Sequence, residues 1–178
     1  MGIIVKNGTG KWVLSGSNSF TFTSSTNQGI QINAGTLVAK HGNALGSANS
    51  TATQNQVSIN STGILEIAGG IALRDGIIVG LKDGGTFRSN GTNSSASTLA
   101  VANAASGTIS TVSASDVFTI GNAANDITGG DSTSTINVAG PGTVNLVSAN
   151  NYAGKWSVQS GTLLLGNEAA LGTPTSVQ

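Results

Sequence analysis

One stretch of this sequence is repeated in similar form near the other end of the chain. NAGTLVAKHGNALG, at residues 33–46, returns as QSGTLLLGNEAALG at residues 159–172, 126 positions further along. The letters that the two stretches share are glycines, a threonine, leucines and an alanine, which carry no acid, base or metal chemistry. The repetition therefore predicts an architecture built from equivalent segments and says little about catalysis.

A glycine followed by threonine and an apolar residue marks further repeats along the chain. Successive marks stand 25, 28, 22, 22, 35 and 19 residues apart, close to the length of one solenoid coil. At roughly 22 residues per coil the 178 residues predict about eight coils. The gap of 35 is expected to contain an inserted loop or an unmarked turn at residues 132–136. The marks are Gly35, Gly85, Gly107, Gly142 and Gly161, with looser versions at Gly10 and Gly63.

Short runs of alternating apolar and polar residues accompany these glycines. Alternation places the apolar side chains on one face of a strand. Such a short strand buries too little by itself, so the pattern favours strands that stack on counterparts in neighbouring coils. The predicted fold is therefore an all-β parallel β-helix with several short strands in each coil. The runs are Ile30–Ile32, Val57–Ile59, Leu65–Ile67, Leu99–Val101, Val117–Ile120, Ile136–Val138 and Val144–Leu146.

Glycine pairs and neutral polar residues fit the same fold. Gly69–Gly70, Gly84–Gly85 and Gly129–Gly130 are predicted corners, because glycine tolerates the positive φ of a sharp turn. Asparagine and threonine at equivalent positions of successive coils are expected to form hydrogen-bonded ladders, since stacked like charges would repel.

Charge and cysteine usage exclude several classes of protein. Charged residues make up 8% of the chain, and the seven basic ones are scattered and balanced by seven acidic ones, which argues against nucleic-acid binding. The absence of cysteine excludes disulfides and thiolate metal sites. The start of the chain has neither the pattern of a signal peptide nor that of a membrane span. Met1–Gly2 is expected to be the beginning of an expressed fragment.

No catalytic, cofactor-binding or metal residue is predicted, and no cofactor. His41 is the only histidine, it lacks a nucleophile elbow nearby, and we interpret it as a solvated loop residue. The densest group of charged residues is not expected to form a stacked site, because its members stand less than one coil apart; it consists of Arg74–Asp75, Lys82–Asp83 and Arg88. Three later aspartates suggest a calcium site, but the sequence lacks the tandem nonapeptide of a calcium-binding β-roll. They are Asp116, Asp126 and Asp131.

Four aromatic residues fall within the repeated pattern. Trp12, Phe20, Tyr152 and Trp156 are expected to pack in the core or to cap it, although exposed aromatic rings also serve as carbohydrate platforms.

Two repeat-like copies, at residues 8–46 and 140–172, share a longer pattern. A glycine and an apolar-x-leucine strand come first, then Asn-x-aromatic, a loop, x-x-Gly-Thr-Leu and Ala-Leu-Gly. The offset is 132 before the loop and 126 after it, so the first copy has six extra residues around 21–28. This order resembles the autotransporter-associated β-strand repeat, also called the passenger-associated transport repeat. The turn at residues 153–155 departs from the usual form.

The resemblance implies a right-handed, single-stranded parallel β-helix in the passenger of a type V secretion protein. Residues 1–178 then form a single domain, expected to be part of a longer passenger. The implied role is that of a non-enzymatic structural segment, a rigid stalk that assists export and passenger folding, on the bacterial cell surface or outside the cell.

Two alternatives to the structural role stay open, and association with further copies of the chain is expected. An adhesin would bind glycans or host protein through loops at Thr21–Gln28, Arg88–Ala96 or Asn122–Ser134. A polysaccharide lyase-like enzyme would need carboxylates converging in a groove. The open terminal coils are expected to favour end-to-end self-association.

Overall fold

The fold was analysed in a computed structural model that describes residues 3–19, 29–47, 56–174 and 176. Within these ranges the chain contains sixteen strands and no helix. All strand pairs are parallel. The predicted all-β parallel solenoid is therefore confirmed.

The strands lie on three faces, which we call A, B and C. Face A consists of β2 (Lys11–Leu14), the second half of β3 (Ile30–Ala39), the second half of β4 (Val57–Ala68), β7 (Thr86–Asn90), β10 (Ser106–Thr111), β13 (Thr135–Ala139) and β15 (Lys155–Val158). Face B consists of β1 (Ile4–Lys6), the first halves of β3 and β4, β6 (Ile78–Leu81), β9 (Thr98–Val101) and β12 (Ile127–Gly129). Face C consists of β5 (Ala72–Leu73), β8 (Asn93–Ser95), β11 (Val117–Ile120), β14 (Thr143–Leu146) and β16 (Thr162–Leu165).

The number of coils is slightly lower than predicted. Faces A and B form one sheet of eleven strands, and face C is a second sheet of five strands. Five turns therefore contribute strands to both sheets, and two earlier layers, β1–β2 and β3, contribute to the first sheet alone. The estimate of about eight coils assumed a uniform coil length. In the structure Ile30 pairs with Val57, 27 residues on, whereas Val57 pairs with Val79, only 22 residues on.

Every predicted alternating run lies in a strand, and its apolar side chains point inward, except that of Val117, which alternates with the buried Phe118 and is only half-buried. One inward column on face A is buried from β3 to β13, with Phe87 meeting Phe118 of face C edge to face at 4.9 Å. The gap of 35 residues contains an unmarked turn, because β13 begins at Thr135 and stacks on β10. The column consists of Leu37, Leu65, Phe87, Ile109 and Val138.

The corners and one ladder are also as predicted. Gly69–Gly70 and Gly129–Gly130 have positive φ at both residues, and Gly84–Gly85 at the first. Asn33 donates from Nδ2 to Asn7 Oδ1 at 2.8 Å and accepts from Asn60 Nδ2 at 2.7 Å, so one amide ladder runs through three layers. No helix in the described ranges has the length and apolar character of a membrane span.

Candidate functional site

The repeat itself is the clearest functional unit of this chain, because both copies fold in the same way. Strand β2 pairs with the second half of β3 so that Trp12 lies opposite Leu37, and β14 pairs with β16 so that Val144 lies opposite Leu163. These pairs are related by the offsets 132 and 126 that the sequence predicted. Each copy is thus two stacked layers, joined by a loop of different length.

The equivalence begins earlier than the sequence analysis placed it. Ile4 lies opposite Ile30, and Ile136 lies opposite Trp156, again at offsets of 132 and 126. Each layer of a copy therefore contains two strand segments on adjacent faces, which in the second layer of the first copy are the two halves of the continuous strand β3.

The two copies occupy different faces of the solenoid. The first copy places its strands on faces B and A, whereas the second places them on faces A and C. The same local structure therefore forms at two different corners. The repeat specifies a corner and the layer that covers it, independently of where that corner falls around the axis.

An asparagine joins the two layers of each copy. Asn18 donates from Nδ2 to the Ala44 carbonyl oxygen, and Asn150 donates to that of Ala170, both at 2.7 Å. Asn150 Oδ1 also accepts from the Ile127 N–H at 2.8 Å. The sequence showed these asparagines as part of a pattern, but their bond to the distant Ala-Leu-Gly turn was not predicted.

A glycine in each copy allows the chain to pass close to the preceding layer. Gly35 and Gly161 have φ of +67° and +75°. A Cβ at Gly35 would lie within 3.0 Å of the carbonyl oxygens of Gly8 and Gly10, and a Cβ at Gly161 would meet the equivalent oxygens. The recurrent Gly-Thr-Leu therefore has a steric cause in addition to its turn conformation.

His41 has a structural role in the turn that follows β3. Its Nδ1 accepts the Asn43 N–H at 3.0 Å. At the equivalent position of the second copy, Asn167 Oδ1 accepts the Ala169 N–H at 2.8 Å. The half-buried histidine thus occupies the place that Asn167 has in the second copy and caps the turn in the same way.

The aromatic residues divide between the core and an end of the solenoid. Tyr152 and Trp156 are fully buried and meet edge to face at 5.6 Å, and burial raises the pKa of Tyr152 to about 12. Trp156 Nε1 donates to the Leu171 carbonyl oxygen at 3.0 Å. Trp12 is half exposed at the first layer, and Phe20 lies outside the described residues.

The charged residues singled out in the sequence do not converge. Asp83 Oδ1 accepts the Ser106 N–H at the start of β10 in the next layer, at 2.9 Å, whereas Asp75 accepts the neighbouring Gly76 N–H within its own turn. Arg88 instead stacks on Glu66 of the previous layer, with Nε 3.0 Å from Oε2. Glu66 was missed as a partner, although its distance of 22 residues from Arg88 equals one coil and could have identified it.

The side chain of Glu66 points away from the core, between the inward-pointing Leu65 and Ile67, but it is buried. Burial opposes its ionisation, but hydrogen bonding and charge from Arg88 outweigh burial, and Asn90 and Lys11 add to them, so the pKa of Glu66 is lowered. Lys11 Nζ lies 3.6 Å from Oε1. A depression of about 270 Å³ lies beside this cluster and is also lined by Lys40. Glu66 is the single carboxylate that lines this depression, and it is already paired with Arg88 and Lys11.

The three aspartates of the sequence analysis cap separate turns. Asp116 Oδ2 accepts the N–H of Ser113 at 2.9 Å, and Asp126 Oδ2 accepts that of Ala123 at 2.8 Å. The Thr133 hydroxyl donates to Asp131 and holds the pKa of that carboxyl at about 2. In the described part of the chain no three histidine or acidic side chains are grouped to hold a metal ion.

Two of the three segments suggested as binding loops contain strands. Arg88–Ala96 includes the end of β7 and all of β8, so its interpretation as a loop is wrong. Several of its side chains are buried, among them Ser89, Asn93 and Ser95. Asn122–Ser134 is a turn, then β12, then a second turn. Thr21–Gln28 lies outside the described residues.

Comparison with known proteins agrees with the repeat geometry. The family model of the passenger-associated transport repeat matches residues 4–39 and 136–165. These bounds are the strands that the register relates, from Ile4 to Ala39 and from Ile136 to Leu165. No curated protein and no solved structure matches the chain. Two segments of this chain are thus similar to the passenger-associated transport repeat, the repeat family of autotransporter passengers.

Proposed function

We propose that this chain is a rigid, non-enzymatic segment of an autotransporter passenger, which acts as a stalk on the bacterial surface and whose folding assists export. The observation that carries the proposal is the inward column of face A, which is continuous from Leu37 to Val138. Each layer is held by its two neighbours, so cohesion runs along the axis of the solenoid.

This arrangement suits folding during export. A layer gains its ladder hydrogen bonds and buries its aliphatic side chains when it meets the layer already formed. A chain that emerges gradually therefore folds layer by layer outside the cell, and each added layer makes return less favourable. The two repeats, which form the same structure at different corners, are suitable starting points for such growth.

The side-chain chemistry also supports a structural role. The described aspartates cap turns, and Glu66 is held by Arg88 beneath the surface of face A. A polysaccharide lyase would need acids that converge on an open groove. The adhesin alternative stays a prediction, and incubation with an array of surface glycans tests it.

The export role is tested by fusing the chain, as the passenger, to an outer-membrane translocator. Phe118→Ala removes a fully buried ring and is expected to cost about 3–5 kcal/mol of unfolding free energy. Surface-displayed passenger, measured by protease accessibility on intact cells, should fall with it.

Thr119→Ala is the matched control, because Thr119 is the next residue of β11 and points outward. It should leave display unchanged. Equal display of both variants, with Phe118→Ala shown to be destabilised in purified form, would refute the role of folding in export.

A further inference from the structure

The depression beside Glu66 lies on the outward side of face A and extends over four successive layers. Its lining residues come from β2, β3, β4 and β7 and from the turns that follow β3 and β4. A layer placed before β2 would continue the sheet beside the depression and would not fill it, because the depression opens away from the core.

Small residues form the floor of this depression. Ala68 points outward at the end of β4, and Gly69 follows it, with open space where a Cβ would lie. The outward positions next to Ala68 in the two adjacent layers carry the longer side chains of Lys40 and Asn90. Both of these residues are exposed, and their backbones lie about 9–10 Å apart, the distance of two strand spacings. The depression is therefore a gap between a cation and an amide.

The charges around the depression favour an anion. Arg88 pairs with one oxygen of Glu66, and Lys11 Nζ lies 3.6 Å from the other. In the described part of the chain Lys40 has no carboxylate within ion-pair distance. Three positive side chains thus accompany one carboxylate, which leaves a net charge of +2 at neutral pH. A concave surface with an excess of one charge attracts ligands of the opposite charge.

The carboxylate of Glu66 does not cancel this attraction at the surface. Its side chain is 3% exposed, whereas the side chain of Lys11 is 54% exposed. A ligand in the depression therefore meets the two lysines before it meets the carboxylate.

Asn90 adds a hydrogen-bonding group of known orientation. It donates from Nδ2 to Glu66 Oε1 at 3.3 Å, which directs its Oδ1 away from the carboxylate. That oxygen can accept a hydrogen bond from a hydroxyl group, while Lys40 can donate to an oxyanion. The methyl group of Ala68 lies between them. The site thus offers partners for an anion, a hydroxyl group and a small apolar surface.

We propose that this depression binds one acidic sugar unit of a glycan, with the sugar carboxylate at Lys40 and a sugar hydroxyl group at Asn90. Pockets for drug-sized ligands measure about 300–1,000 Å³, so a depression of about 270 Å³ suits a single small unit. The inference goes beyond the stalk function and does not depend on it. Of the segments suggested as binding loops, only Arg88–Ala96 contributes a residue to this site.

Titration of the isotope-labelled chain with galacturonic acid, followed by NMR, tests the proposal. The amide signals of Lys40, Ala68 and Asn90 should shift and reach saturation. Galactose, which carries a hydroxymethyl group in place of the carboxylate, should cause no saturable shift. Inorganic phosphate is the second probe, and it should bind more weakly because it lacks the ring. Phosphate binding as tight as that of galacturonic acid would indicate a simple anion site and would overturn the proposal.

Substitutions separate the contributions of charge and shape. Lys40→Ala should weaken the binding of galacturonic acid at least about tenfold, and Lys40→Arg should restore most of it. Ala68→Leu fills the depression without changing its charge and should abolish binding. Lys155→Ala is the matched control, because Lys155 is an exposed lysine at the start of β15 on the same face, and this variant should bind like the native chain.

Two results would overturn the proposal whatever the phosphate result is. One is a native chain whose signals show no saturable shift with galacturonic acid. The other is equal affinity of the native chain and Lys40→Ala. If Ala68→Leu loses its strand signal in circular dichroism, the comparison of the two Lys40 variants still decides, since that side chain is exposed.

Discussion

Asn150 donates from its side-chain Nδ2 to the carbonyl oxygen of Ala170, one layer further along the solenoid, at 2.7 Å. Asn18 makes the same bond to Ala44 at the same length. Because the two copies lie on different faces, the bond belongs to the repeat and is not imposed by its surroundings. It explains why the motif couples an asparagine to an Ala-Leu-Gly turn that follows 26 residues later in the first copy and 20 in the second.

Replacing Asn150 with alanine should lower the free energy of unfolding by about 1–3 kcal/mol. The substitution leaves the Ala170 carbonyl and the Ile127 N–H without their partners in a buried place. Urea denaturation followed by circular dichroism measures the loss. Asn151→Ala changes the same residue type at an exposed neighbouring position and should shift the midpoint little, so equal losses would contradict the role of the bond.

His41→Asn should retain the stability of the native chain, whereas His41→Ala should lose about 0.5–1.5 kcal/mol. The reason is that the second copy already uses Asn167 for the same cap, with its Oδ1 2.8 Å from the Ala169 N–H. Thermal unfolding of the three proteins at neutral pH checks this. Should the asparagine variant be as unstable as the alanine variant, the equivalence of the two turns would be wrong at this position.

The sequence predicted the parallel solenoid because stacking repeats the same requirement at every layer. The Gly-Thr-Leu marks, the alternating strands and the offsets of 132 and 126 all reflect contacts between adjacent layers. These contacts recur along the chain, so their pattern is recognisable in the sequence. The number of layers was harder to predict, since the longer connections before β3 and β4 add residues without adding a layer.

Individual contacts between layers were predicted less well. Glu66 and Arg88 form a pair that occurs once in the chain, so no repetition draws attention to them. The polar inward residue Asn93 of β8 was missed for the same reason. It is buried between apolar layers because Ile71, Ile67 and Ser89 satisfy its amide.

Gly35→Ala should destabilise the fold by at least about 1–2 kcal/mol, the cost of a left-handed conformation for an L-residue. The new Cβ would also press on the carbonyl oxygens of Gly8 and Gly10, which are fixed by the first layer. Chemical denaturation measures the effect. Gly16→Ala is the control, because a Cβ there meets open space, and it should be neutral. A Gly35→Ala variant as stable as the control would show that the first layer moves aside easily.

Glu66→Gln should lower the free energy of unfolding by about 1–3 kcal/mol at neutral pH, since it removes a charge-assisted hydrogen bond from Arg88. The pKa of Glu66 is lowered in the folded chain, so its contribution is present above the ordinary value of 4.5 and is lost as the pH falls through the folded value. The difference between native and variant proteins should therefore shrink as the pH drops below 4.5. Urea midpoints measured between neutral and acid pH provide the comparison, with Glu168→Gln, at an exposed carboxylate, as the control. A difference that is independent of pH would mean that Glu66 stabilises the fold through its shape and neutral hydrogen bonds, and the ion pair with Arg88 would then contribute nothing.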